Sequence, residues 1–417
     1  MKNIYHNLLF YKFALYGFLK NQKYFEPFII IFLKTYNISF TQIGILYAIK
    51  EITTNFLEIP SGIFADAFGR KKAMLISFSS YIISFIIFYS FHDFYFFSIA
   101  MLFFGFGEAF RSGTHKAMIY SYLKYNNLSQ YKVEFYGHTR ASSQIGSAIS
   151  VLISAYIIII SHNIAKIFFF SIIPYIIAFI LILSYPNYLD YEIKNKNKRL
   201  TTTFKDIKKN LKIWYNIKIL LNISLYSAYF KAIKDYIQAI IKQFSPFIIA
   251  LPFIKKEHKT TIVIAFVYFV FYILSSFASA NSKKALDKIK SKSTLLNISL
   301  IFAIVSALLI ALFYKFKFLS IIIIIYLFIF LIENIRKPIA IAYINEKINT
   351  DIFASILSLQ NNLRTILTAL ISIIFGFLID TLSIYWAFFI IGILFILIYP
   401  LISIKEKNSG TGNRTPA

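Results

Sequence analysis

The chain has 417 residues, 58% of them hydrophobic and 19% aromatic, with 44 Lys and Arg against 18 Asp and Glu for a formal charge of +26. No soluble core of this length hides so much apolar surface, and at roughly 20 residues per span the composition points to a polytopic membrane protein. The lack of cysteine removes disulfides, thiolate metal sites and a Cys nucleophile.

Apolar stretches fall at about 8–33, 41–66, 74–90, 95–122, 135–160, 167–185, 213–240, 261–280, 294–313, 319–344, 353–379 and 384–403. Each is long enough to cross a bilayer. The first carries Lys12, Lys20, Lys23 and Glu26 and ends without a small-residue cleavage site, so it reads as a span and not as a removable signal. Outside the twelve stretches, Lys and Arg divide 23 to 8 between alternate sides when the N-terminus is placed inside. The positive-inside rule then puts both termini in the cytoplasm and the chain in the cytoplasmic (inner) membrane. Basic charge placed this way serves orientation, and nucleic acid is not expected as a partner.

Charge within the spans is the second signal, since each such group costs at least ~2.5–3.5 kcal/mol at the bilayer centre unless it faces protein or water. In the first helix Lys20, Lys23 and Glu26 recur every three residues, and Lys23 is expected to pair with Glu26. In the second, Glu51, Asn55 and Glu58 share one face ahead of Pro60. The fourth puts Glu108, Arg111 and His115 at i, i+3 and i+7 among glycines, with Glu108 and Arg111 one turn apart. The segment 186–212 holds eight basic residues, and Phe204, Ile207, Leu211 and Trp214 form an apolar stripe suited to the inner membrane surface. Later come Lys231, Lys234 and Asp235 in the seventh helix, and Glu333, Arg336, Lys337 and Pro338 in the tenth, with Glu333 and Lys337 at pairing distance. Arg364, beside Asn361 and Asn362, occupies the eleventh. These charges mark either a polar pathway or simple helix–helix ion pairs.

Between the second and third stretches the chain reads Gly62-Ile-Phe-Ala-Asp66-Ala-Phe-Gly69-Arg70-Lys71-Lys-Ala-Met74. This resembles the signature loop of the major facilitator superfamily of secondary transporters, with Phe64 where Leu is usual and Ala67 where Arg is usual. The Gly/Glu/Arg stretch of the fourth helix is similar to that family's pattern. Where the family often has an acidic partner for the loop arginine, this chain has Tyr120-Ser121-Tyr122. The resemblance implies an all-α integral membrane fold of twelve helices in two six-helix halves. The halves would be 1–185 and 213–404, joined by a basic cytoplasmic linker, 186–212, and followed by a polar tail, 405–417.

It further implies a transporter, not an enzyme, functional as a monomer and needing no cofactor. Such a protein moves a small polar or amphipathic organic solute by alternating access, with a coupling proton. Gly62, Asp66, Gly69, Arg70 and Lys71 would govern conformational change. The path would use Lys20, Glu26, Glu51, Asn55, Glu58, Glu108, Arg111, His115, Asp235, Glu333, Arg336 and Arg364. A carboxylate couples protons when a moving helix changes its surroundings; Glu51 and Glu108 lead, then Glu333. Multidrug antiport is a lesser reading, because the fifth helix, Arg140-Ala-Ser-Ser-Gln144-Ile-Gly146, lacks the Gly-Pro pattern usual in such antiporters. No phosphate-cradling or common hydrolase motif is present, so a membrane-embedded enzyme or a non-transporting receptor is the weakest alternative.

Overall fold

In lipid a spanning segment must satisfy its own backbone, and these apolar runs do so as helices. The computed structural model describes residues 8–112, 114–128, 132–190, 214–244, 256–280, 291–347 and 353–404, and among them every regular element is helical. In the first part of the chain these are α1 (Leu8–Leu19), α2 (Ile29–Thr35), α3 (Phe40–Phe68), α4 (Arg70–Ser90), α5 (Phe94–Arg111), α6 (Thr114–Tyr125), α7 (Lys132–Ser161) and α8 (Lys166–Leu183). In the second they are α9 (Trp214–Ile233), α10 (Ile237–Phe244), α11 (Lys256–Ala280), α12 (Lys292–Lys315), α13 (Leu319–Lys347), α14 (Phe353–Thr381) and α15 (Ile384–Ile402). Most of the basic linker and the tail 405–417 lie outside the described residues.

Among the described residues nine helical segments are long and apolar enough to cross a membrane, α5 and α6 together making one of them. The other three expected passes fall on α1 with α2, on α3, and on α9 with α10. Those are the elements that carry mid-span charge or a break, which is why length and hydropathy alone miss them. Large apolar side chains such as Phe56, Ile180, Phe266 and Leu397 point outward, whereas the largest fully buried side chains are Arg336 and eleven tyrosines. The interior is the more polar side, as a lipid-facing exterior requires.

Two breaks shape the centre. α1 stops at Leu19 and the chain resumes through a 3₁₀ turn, Glu26–Phe28. Pro27 restricts the residue before it and has no N–H to continue an α ladder. Asn21 and Gln22 then bind the Ser143 and Gly146 carbonyls of α7 at 2.5 and 3.0 Å. The carbonyl of Lys20, freed by the break, accepts from the Tyr175 hydroxyl at 2.9 Å. A second break divides α9 from α10 at Lys234–Tyr236, where Tyr326 and Tyr268 bond the carbonyls of Ile233 and Lys234 at 3.2 and 3.3 Å. Broken backbone at membrane depth thus stays paired. The first expectation to fail is the Lys23–Glu26 pair: with the helix broken between them, the two side chains no longer share a face.

Small residues set helix spacing. Ser77, Ser80 and Ser84 of α4 donate to the Gly107, Phe103 and Ala100 carbonyls of α5 at 2.6, 2.7 and 2.7 Å. Between the two parts of the chain, α3 packs on α14 and α7 on α11. A Cβ on Gly44 would overlap the Ser372 carbonyl, and one on Gly376 the Phe40 carbonyl. The start of α3 is capped by Ser39 with Gln42, and Asp380 at the end of α14 adds its carboxylate to the Phe40 and Thr41 N–H groups at 3.0 and 2.6 Å. Gln238 bonds Ile30 N and the Glu26 carbonyl at 2.9 and 3.0 Å. The contacts of Gly44, Gly376, Ser39, Asp380 and Gln238 gather at the end of α3 opposite Gly69.

Gly69 itself corrects the loop reading. α3 runs to Phe68 and α4 starts at Arg70, so a single residue with φ of 107° makes the turn. Only glycine takes that conformation without strain. Gly62 lies well inside α3, exposed, with nothing within 4 Å of the position a Cβ would take, so it mediates no close helix approach.

Candidate functional site

Where the two parts of the chain meet, a cavity of about 250 Å³ is lined by Lys23, Lys50, Lys231 and Lys234 facing Glu26, Glu51, Glu108 and Asp235. Four cations balance four carboxylates. The breaks after α1 and α9 deliver Lys23, Glu26, Lys234 and Asp235, because a broken helix turns backbone and side chains toward the space between helices. α3 supplies Lys50 and Glu51, and α5 supplies Glu108.

The pairing is mostly between helices far apart in sequence. Lys234 Nζ reaches Glu26 at 2.6 Å and Asp235 at 3.5 Å. Glu51, 6% exposed, takes Lys231 at 2.8 Å and its own neighbour Lys50 at 3.1 Å. Asp235 accepts from the Tyr47 and Tyr268 hydroxyls at 3.1 and 3.4 Å. Lys231–Glu51, Lys234–Glu26 and Tyr47–Asp235 therefore join the first part of the chain to the second across the cavity.

Glu108 binds in two directions. One oxygen takes Lys23 at 3.1 Å and the other takes Arg111 at 2.5 Å, so the expected Glu108–Arg111 pair is present with a third member. Arg111 Nε also bonds the Tyr81 hydroxyl at 3.1 Å. Beyond this row, toward Gly69, a second cavity of about 490 Å³ opens between α1, α5 to α7 and α13. His115, on α6 rather than on the helix of Glu108, stacks on Tyr16 at 3.7 Å and meets the Tyr185 hydroxyl at 3.3 Å. Lys20 lines this second cavity and not the first.

The remaining expected residues divide. Asn55 bonds Asn362 of α14 at 2.6 Å, a further link between the two parts of the chain. Glu58 is half-buried in the field of Arg364 and Lys231, and the buried Arg364 Nε has no hydrogen-bond partner among the described residues. Glu333 accepts from Ser227 at 3.0 Å and not from Lys337, which lines the second cavity. Arg336, 1% exposed, donates to the Ile223 and Asn222 carbonyls at 2.9 and 2.7 Å. Glu333 and Arg336 thus hold α13 to α9, away from both cavities.

At the Gly69 turn, Asp190 caps α4 by accepting from Lys71 N at 2.5 Å, and Lys71 Nζ bonds the Tyr185 carbonyl at 3.0 Å. Arg70 reaches Ser121 at 2.6 Å and the Ala117 carbonyl at 3.3 Å, the position where a carboxylate was missing. Asp66 is exposed.

Sequence reasoning left out Lys50, Tyr47, Thr368 and Ser372 from the cavity, and Tyr268 behind Asp235. It also overlooked a readable repeat: Glu108-Ala-Phe-Arg111 and Glu333-Asn-Ile-Arg336 share one spacing, and Lys20-x-x-Lys23 is matched by Lys231-x-x-Lys234. Both lysine pairs fall at the two helix breaks.

Comparison with known proteins follows the same outline. A family model described as Major Facilitator Superfamily matches residues 21–372. Among solved structures, a mutant of the nucleoside transporter NupG superposes with a TM-score of 0.80 at 12% identity, covering 95% of this chain and all of that one. A POT family transporter in complex with 5-aminolevulinic acid gives 0.70 at 14% identity, with 94% and 93% covered. A D-xylose-proton symporter gives 0.65 at 13% identity, with 94% and 96% covered. At these identities the likeness is one of fold. No curated protein matches the chain by sequence.

Proposed function

This chain belongs to the major facilitator superfamily, and on that premise we propose that it is a proton-coupled secondary transporter of a small polar or amphipathic organic solute. It would work by alternating access in the cytoplasmic membrane, as a monomer with both termini inside. The halves 1–185 and 213–404 would rock about the central cavity, with the segment 186–212 as their connection. One observation carries this reading: the charged cavity is bridged between the halves by Lys231–Glu51 and Lys234–Glu26. Any motion that separates the halves must break those pairs, so whatever changes their charge changes the motion. The central cavity offers about 250 Å³, room for roughly eight waters at ~30 Å³ each, which suits a small solute.

Protonating Glu51 would release Lys231 and loosen α3 from α9. A proton taken up at one membrane face and released at the other would thereby drive the cycle. Xylose–proton symport on the same fold is consistent with that use. In reconstituted vesicles Glu51→Gln should abolish pH-driven accumulation while exchange of labelled for unlabelled solute continues, because the amide mimics the protonated acid. A pH-driven gradient that survives in Glu51→Gln would remove Glu51 from the coupling and pass the role to Glu108.

A further inference from the structure

The second cavity differs from the first in charge. Its charged lining among the described residues is Lys20, Arg111, Lys116 and Lys337, with no carboxylate among them, whereas the central cavity's described lining is balanced. Arg111 is paired with Glu108 and both Lys116 and Lys337 have partners, which leaves Lys20 as the group the cavity itself must satisfy. Lys20 is half-buried, and its ammonium makes no hydrogen bond or ion pair among the described residues. Tyr16, 1% exposed, lines the same space with its hydroxyl beside the Arg111 guanidinium but in no well-formed hydrogen bond among the described residues, its ring held by the stack on His115. Buried polar groups are almost always satisfied, and a buried cation is almost always paired. Here the half-buried Lys20 ammonium faces the cavity with no ion pair among the described residues, beside a buried hydroxyl that only another cation approaches.

We propose that this cavity binds an organic anion, a small molecule bearing a carboxylate or phosphate, and that such an anion is the transported solute. The proposal rests on the transporter reading. Lys20 and Arg111 are the charge partners, and Tyr16 donates a hydrogen bond. Arg111 is already held by Glu108, which also holds Lys23 of the central cavity. The row Lys23–Glu108–Arg111 therefore partitions the two cavities. An anion bound at Lys20 competes with Glu108 for Arg111 and so opens the way inward.

The test is thermal unfolding and equilibrium binding of the purified full chain with lactate, succinate, citrate and glucose 6-phosphate at constant ionic strength. Glucose and putrescine serve as the uncharged and cationic controls. At least one anion should stabilise the protein and neither control should; whether a carboxylate or the phosphate ester acts tells which group is read. Lys20→Gln separates a binding role from a structural one. Without ligand it should unfold at the same or a higher temperature, because it removes like-charge repulsion and breaks no bond, yet it should weaken anion binding tenfold or more. A lower unfolding temperature for ligand-free Lys20→Gln, or no response to any of the four anions, would overturn the assignment. Stabilisation by phosphatidylglycerol alone would give the cavity to lipid and overturn it equally. Vesicle uptake of an uncharged solute with no response to anions would overturn the anion and leave the transporter standing. Anion binding without uptake of any solute would do the reverse.

Discussion

Glu108 is the most informative single position because it satisfies two cations at once. Lys23, Glu108 and Arg111 have side chains 20%, 19% and 23% exposed, joined at 3.1 and 2.5 Å. With an effective dielectric of about 20, each contact has a gross attraction of about 5–7 kcal/mol, most of it offset by desolvation. What remains visible is the penalty for stranding a charge, about 3–5 kcal/mol for a buried pair and less at this partial exposure. Glu108→Gln strands both cations, so about 3 kcal/mol of lost stability is expected. Arg111→Gln leaves Glu108 with Lys23 and should cost about 1–2 kcal/mol. Because the two residues share one contact, the double variant should fall short of the sum by about 1–2 kcal/mol. Denaturing-detergent titration of the purified variants in mixed micelles at fixed pH measures all three. Equal damage from the single variants, or strict additivity in the double, would refute the three-membered row and the partition built on it.

Four other outcomes are expected. In intact cells an impermeant maleimide should label Lys315→Cys, exposed at the end opposite Gly69, and spare Lys72→Cys, exposed beside it; the reverse pattern would invert the orientation. Gly376→Ala should force α14 from α3 at the Phe40 carbonyl, raising thiol accessibility of cysteines placed near Tyr47 from the far end, and unchanged labelling would mean that this contact does not hold that end closed. Gly69→Ala should destabilise by about 1–3 kcal/mol, from a φ of 107° and a Cβ placed 2.9 Å from the Asp190 carboxylate; Asp190→Ala, which removes the α4 cap, should cost about 1 kcal/mol. If Gly69→Ala unfolds like the parent in the same titration, the turn carries no strain.

Much of the architecture was legible in the chain. Helices follow from apolar runs in a solvent that offers no hydrogen bonds, and that argument needs no knowledge of neighbours. The Glu108–Arg111 pair was readable for the same reason, since one helical turn fixes its geometry. The Gly69–Lys71 turn was readable as a sharp change of direction flanked by basic residues. Its shortness was not, because the start of α4 directly at Arg70 is capped by Asp190, a partner more than a hundred residues away in the chain.

What the sequence determined by itself is therefore local: which segments are helical, which charges lie at membrane depth, and which neighbours one turn apart can meet. Partners beyond one turn were decided by tertiary structure. Lys23 and Glu26 were expected to bind each other, and the break after Leu19 sent one to Glu108 and the other to Lys234. Glu333 took Ser227 where Lys337 was expected. Spacing along a helix predicts a contact only while the helix continues and no better partner crosses it. In a low-dielectric interior the nearest opposite charge wins, and which charge is nearest is set by how the helices pack, not by the order in which their residues are written.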